Sequence, residues 1–101
     1  MTDEFKIKVY KKAVKHYGTY EQHNVAMEEC SELIQAISKF LRATKAKDML
    51  IARNHIREEI ADVMIVIDQL RLMHAIGDKE MEQEVEYKVA RLNERIEHGS
   101  D

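Results

Sequence analysis

The chain has 101 residues, no proline, three glycines and 35% charged residues, which favours one all-helical domain over a sheet protein or a disordered chain. Its net charge of −3 at pH 7 excludes an electrostatic case for polymeric nucleic acid or an anionic membrane, and no apolar run approaches the ~20 residues of a membrane span. The single cysteine, Cys30, excludes an intrachain disulfide and fits a reducing cytoplasm.

The opening MTDEFKIKVYKK is too interrupted by charge to be a signal peptide. Phe5, Val9, Tyr10, Ala13, Val14 and Tyr17 recur at helical spacing before Gly18, which predicts a first helix from Asp3 to Tyr17. Thr19 and Gln22 match a capping box, so a second helix is expected from Thr19 or Tyr20, with Ala26, Cys30, Leu33, Ile34, Ile37, Phe40 and Leu41 as its apolar stripe. ATKAKD, Ala43 to Asp48, reads as a polar connector. A third helix is expected to start between Asp48 and Asn54 and to end near His74. Ile60 to Leu70 is apolar almost all round, which predicts the most buried helix. Gly77 supplies a stop and Asp78 a new N-cap. A fourth, highly charged helix follows from about Lys79 to His98. Its narrow stripe of Met81, Val85, Val89, Leu92 and Ile96 resembles a heptad seam.

The chemistry concentrates in two acidic turns. Glu28, Glu29 and Glu32 lie on the second helix, and Glu58, Glu59 and Asp62 on the third. At ~100° per residue, Glu59 falls between Val63 and Val66 and should face the interior, with Asp62 at its margin. Glu29 borders the stripe beside Leu33, and Glu32 lies further out. Packed at ~8–10 Å, the two helices bring these four acids together. Carboxylates ~6 Å apart repel by about 3 kcal/mol per pair at an effective dielectric of 20. Protons or cations relieve that repulsion, and hard divalent ions prefer oxygen ligands. The plain alternative is solvated helix surface, which suits Glu28 and Glu58. It suits Glu59 badly, because a lone acid among Val63, Val66 and Leu70 is costly.

At these residues the chain resembles the MazG-like, all-α nucleoside triphosphate pyrophosphohydrolases. Their E-E-x-x-E and E-x-x-D motifs on consecutive helices read here EECSE and EIAD, and the run VMIVIDQL follows. The resemblance covers roughly residues 17 to 72. It implies a single domain over residues 1–101 with an all-α, four-helix MazG-like bundle completed by homo-oligomerisation as a homodimer or homotetramer. It also implies hydrolysis of a nucleoside triphosphate to monophosphate and pyrophosphate. Mg²⁺ would be held by Glu29, Glu32, Glu59 and Asp62, with Glu29 or Glu32 activating the water.

The same resemblance implies basic residues for the phosphates. YKVARLNERI offers Lys88, Arg91 and Arg95 on one face, although Leu92 stands where the family's K-x-x-x-N form has asparagine. Salt bridges to Glu84 or Glu94 are an equal reading of these cations. Lys39 and Arg42 are further phosphate candidates. Gln22 matches a family glutamine near the substrate and, equally, the capping box with Thr19. His55 stands one turn before Glu59. His16, His23, His74 and His98 show no ligand spacing, and Cys30 reads as a small core residue. Three alternatives remain: a related pyrophosphohydrolase with a specialised substrate (phosphoribosyl-ATP or a modified deoxynucleotide), a non-enzymatic helical interaction module, and a di-iron bundle. The last wants a Glu-x-x-His on each of two helices, which the chain lacks.

Overall fold

A computed structural model of the chain describes residues 1–99. Four helices follow one another: α1 (Asp3–Tyr17), α2 (Thr19–Arg42), α3 (Ala46–Met73) and α4 (Asp78–His98). There are no strands among the described residues, and no helix among them is long and apolar enough to cross a membrane.

Helix α1 starts at Thr2, whose hydroxyl oxygen accepts from the Phe5 amide at 3.1 Å, and it ends where the sequence predicts. Gly18 alone separates α1 from α2. Its φ of 91° is a value that an L side chain rarely adopts, and it lets the chain turn sharply within one residue. The expected Thr19–Gln22 capping box does not form. Thr19 is already helical, no side chain caps α2, and the Gly18 carbonyl accepts from the Gln22 amide at 3.1 Å. Gln22 is instead buried.

The connector after α2 is shorter than ATKAKD. Only Ala43 to Lys45 are non-helical, and Ala46, Lys47 and Asp48 form the first turn of α3. That turn is exposed, so no apolar periodicity marks it. Three residues suffice because α2 and α3 are antiparallel neighbours. Their facing positions follow a heptad. On α2 these are Gln22, Ala26, Glu29, Leu33, Ala36 and Phe40; on α3 they are Ala52, Ile56, Glu59, Val63, Val66, Leu70 and Met73. Every one of them is buried or half-buried. The fully buried apolar members are only alanines and one valine, Val66, so the helices approach closely over a thin core. Helix α1 packs on both α2 and α3, whereas α4 packs on no other helix among the described residues.

Helix α3 is therefore the central helix, but it is not buried all round. Ile60, Met64, Ile65 and Ile67 remain exposed, because only α1 and α2 pack against α3 among the described residues. Cys30 is exposed as well. It lies on a second α2 stripe (Met27, Cys30, Ile34, Ile37, Leu41) whose residues are all exposed. The predicted α2 stripe thus divides into an inner seam and an outer one.

The end of α3 reverses the expected use of glycine. The Ile76 amide donates to the Arg71 carbonyl at 2.9 Å and the Ala75 amide to the Leu72 carbonyl at 3.4 Å, a Schellman arrangement. Its left-handed residue is Ala75, with φ 53°. Gly77 has φ −82° and caps α4, with Asp78 the first helical residue. Arg71 braces the turn through the Ile76 carbonyl and the Asp78 carboxylate. Ala75→Gly is expected to stabilise the protein by about 1 kcal/mol, by relieving the left-handed alanine. Gly77→Ala, with open space around its Cβ position, is expected to be neutral or mildly stabilising. Urea denaturation of the two variants checks both.

Candidate metal centre

Glu29 and Glu59 occupy seam positions of α2 and α3, and Asp62 lies one turn after Glu59 at the seam's margin. One carboxylate oxygen from each of the three lies within 4.8 Å of the others. Glu59 is buried, with 8% of its surface exposed, while Asp62 is open to solvent. Oε2 of Glu29 and Oε2 of Glu59 are both buried and have no hydrogen-bond partner among the described residues. Buried carboxylate oxygens normally find donors. Here the three carboxylates are one another's neighbours, and acids offer no donor while ionised.

The surrounding groups sharpen this. Nε2 of His55 lies 3.2 Å from Oε1 of Glu59, so that oxygen is engaged, and its twin Oε2 is the one without a partner among the described residues. The Glu29 pKa is pushed above its ordinary value, first by burial and then by the negative charges of Asp62, Glu32 and Glu59. A hydrogen bond with Asp62, which requires the proton, adds to the rise. Glu32 is exposed and lies outside the three-oxygen group, although its charge reaches Glu29. The site as it stands is thus three acids with Glu32 at the rim.

The raised Glu29 pKa has a definite consequence for stability. The folded protein holds this proton more tightly than the unfolded chain does. Stability is therefore lost as pH rises from the ordinary carboxylate value of 4.5 through the raised one. A divalent cation bound by these acids would compete with the same proton and reverse the loss. Without metal, the melting temperature should fall as pH rises above the ordinary carboxylate value of 4.5. Millimolar Mg²⁺ should restore it, and Glu29→Gln should flatten both dependences. Thermal melts in EDTA and in Mg²⁺ across that range check the sign.

The expected phosphate contacts divide by helix. Lys39 and Arg42 on α2 share a shallow groove with Asp48, Ile51 and His55 of α3. Through His55 this groove adjoins the acidic site. Lys88, Arg91 and Arg95 lie on α4, away from the acids. Lys88 faces Glu84 at 3.7 Å, and Arg91 lies over the Tyr87 ring at 5.8 Å. Gln22 is buried on the inner face of α2, two turns before Glu29. His23 and His74, unremarkable in sequence, meet across the helix pair. No periodicity could have signalled them, because only the register of α2 against α3 brings them together. A larger open groove of about 620 Å³ lies elsewhere, between α1 and the α3–α4 turn, lined by Lys6, Tyr10, Asp68 and Arg71.

No family model matches the chain, and no curated protein or solved structure matches it.

Proposed function

We propose that the protein is a Mg²⁺-dependent nucleoside triphosphate pyrophosphohydrolase of the MazG-like kind, working as a homo-oligomer. Two observations meet at one place to carry this reading: Glu29 and Glu59 each have a buried oxygen without a partner among the described residues, and one carboxylate oxygen each of Glu29, Glu59 and Asp62 lies within 4.8 Å of the others. That donor set suits a hard divalent ion, which takes oxygen ligands and leaves room for water and phosphate. Glu29, Glu59 and Asp62 hold the ion, and Glu32 completes the set from the rim. When bound, Mg²⁺ supplies charge neutralisation for the phosphates and acidity for the attacking water. Glu29 or Glu32 orients that water and accepts its proton. Lys39 and Arg42 offer positive charge to the polyphosphate from the neighbouring groove. Lys88, Arg91 and Arg95 contribute only where α4 reaches the site of a neighbouring copy.

The test is a panel of nucleoside triphosphates with Mg²⁺, phosphoribosyl-ATP and modified deoxynucleotides included, assayed for pyrophosphate against orthophosphate. Pyrophosphate release from at least one substrate is expected. Orthophosphate release would overturn the pyrophosphohydrolase chemistry and leave the metal site standing. No turnover of any nucleotide would favour a second reading, a helical interaction module, which draws on the unpartnered apolar stripe of α4.

A further inference from the structure

Two histidines that stand 51 residues apart meet where α2 begins and α3 ends. Nε2 of His23 lies 2.8 Å from Nε2 of His74, and the ring planes are at 89°. On its other side, Nδ1 of His23 lies 2.6 Å from the Thr19 carbonyl oxygen. A carbonyl only accepts, so Nδ1 carries a proton, and the neutral ring presents its Nε2 lone pair away from its own backbone. Proteins prepare a metal-binding imidazole in the same way: a backbone carbonyl fixes the tautomer and the ring orientation, and the other nitrogen is left to coordinate. His74 is the exposed C-cap of α3. Its ring has no further hydrogen-bond partner among the described residues, so it is free to turn and to change tautomer.

We propose that His23 and His74 form a two-imidazole clip for a borderline divalent transition ion, Zn²⁺, Ni²⁺ or Cu²⁺. Imidazole nitrogen suits these ions, whereas Mg²⁺ favours oxygen. Without metal, one proton closes the pair: Nε2–H of His74 donates to the lone pair of His23. With metal, His74 carries its proton on Nδ1, and both Nε2 atoms face the ion. Two Zn–N bonds of ~2.1 Å at a tetrahedral angle separate the nitrogens by about 3.4 Å. The pair therefore opens by roughly 0.6 Å, through rotation of the exposed His74 ring. Water fills the remaining positions. The clip is independent of the acidic centre, because His23 precedes Glu29 by six residues, about 9 Å along the helix. A bound ion staples the first turn of α2 to the end of α3, beside the turn from which α4 departs.

Zn²⁺ titration of the full chain by calorimetry, in a large excess of Mg²⁺, tests the proposal. The expected result is one Zn²⁺ per chain, with His74→Ala and His23→Ala each weakening binding at least about tenfold and Glu59→Gln leaving it unchanged. Imidazole nitrogen NMR on the unaltered protein should show both Nε2 signals moving with Zn²⁺ while Nδ1 of His23 stays protonated. This measurement decides the matter even where His23→Ala disturbs folding. Zn²⁺ affinity in both histidine variants equal to that of the unaltered protein would overturn the clip, as would Nε2 signals that do not respond. Loss of Zn²⁺ binding in Glu59→Gln with retention in His74→Ala would place the ion among the acids and overturn it too. None of these outcomes depends on nucleotide turnover, so the clip and the enzyme reading stand or fall separately.

Discussion

Glu59→Gln is expected to lower pyrophosphohydrolase activity by about 10³-fold while making the metal-free protein more stable by about 1 kcal/mol. The two effects share one cause. Glu59 is buried at a seam position between Ala52 and Val66, and one of its oxygens has no partner. Its negative charge is a cost in the metal-free fold and, on the proposed reading, would be a ligand in the metal-bound one. The amide keeps the side chain's size, removes the charge, and can donate to Glu29 or Asp62. A bound Mg²⁺ would then lose the ligand held most rigidly, because Glu59 is the most enclosed of the three acids. Opposite signs are what separate this reading from plain structure. An interaction module predicts the gain in stability with unchanged Mg²⁺ affinity. A paired structural acid predicts a loss of stability, because the His55 contact at 3.2 Å goes with it. Denaturation with and without Mg²⁺, beside the activity assay, distinguishes all three.

The same seam explains why Glu59 was legible in the sequence. Periodicity alone places it among Val63, Val66 and Leu70, and helical geometry tolerates little error over one turn. The margin positions of Asp62 and Glu32 followed from the same wheel. Helix ends were legible where backbone chemistry marks them, as at Gly18, and illegible where it does not. The first turn of α3 carries Ala46, Lys47 and Asp48, which fit an exposed helix turn as well as a loop. Ala75 took the left-handed position that Gly77 was expected to fill, because the reach of the Schellman bonds is set by where α3 ends. His23 and His74 lay beyond sequence reasoning for a different reason. Their meeting depends on the stagger of α2 against α3, which no local pattern encodes. The placing of α4 was not legible either, because no packing against another helix among the described residues fixes it.

Ile34→Asp on α2 is expected to reduce an oligomer to monomers, weakening self-association by about 10²–10³-fold, because it asks an unpaired charge to be buried. The chain exposes 8286 Å², whereas a compact monomer of this size exposes about 5,900 Å². The excess of roughly 2,300 Å² per chain falls within the range of obligate subunit interfaces. Its radius of gyration is likewise 17.0 Å, against about 13 Å for a compact chain of this length. Exposed apolar residues are not scattered over that surface. Ile34 and Leu41, 67% and 76% exposed, belong to the outer heptad of α2. Val85, Val89, Leu92 and Ile96 line α4, which touches no other helix among the described residues. Two heptad stripes without partners, on helices of similar length, are what a second copy of this chain would cover. Sedimentation of the full chain should give a multiple of the monomer mass, and Ile34→Asp or Leu41→Asp the monomer mass. Lys88→Ala, on the polar flank of α4, should leave the mass unchanged. If α4 reaches a neighbour's acidic site, Lys88→Ala also raises KM for the nucleotide while Ile34→Asp abolishes turnover. An oligomer that forms without completing a site would lose mass in Ile34→Asp but keep its activity. A chain that sediments as a monomer at micromolar concentration would sink the oligomer itself and return α4 to being a free arm.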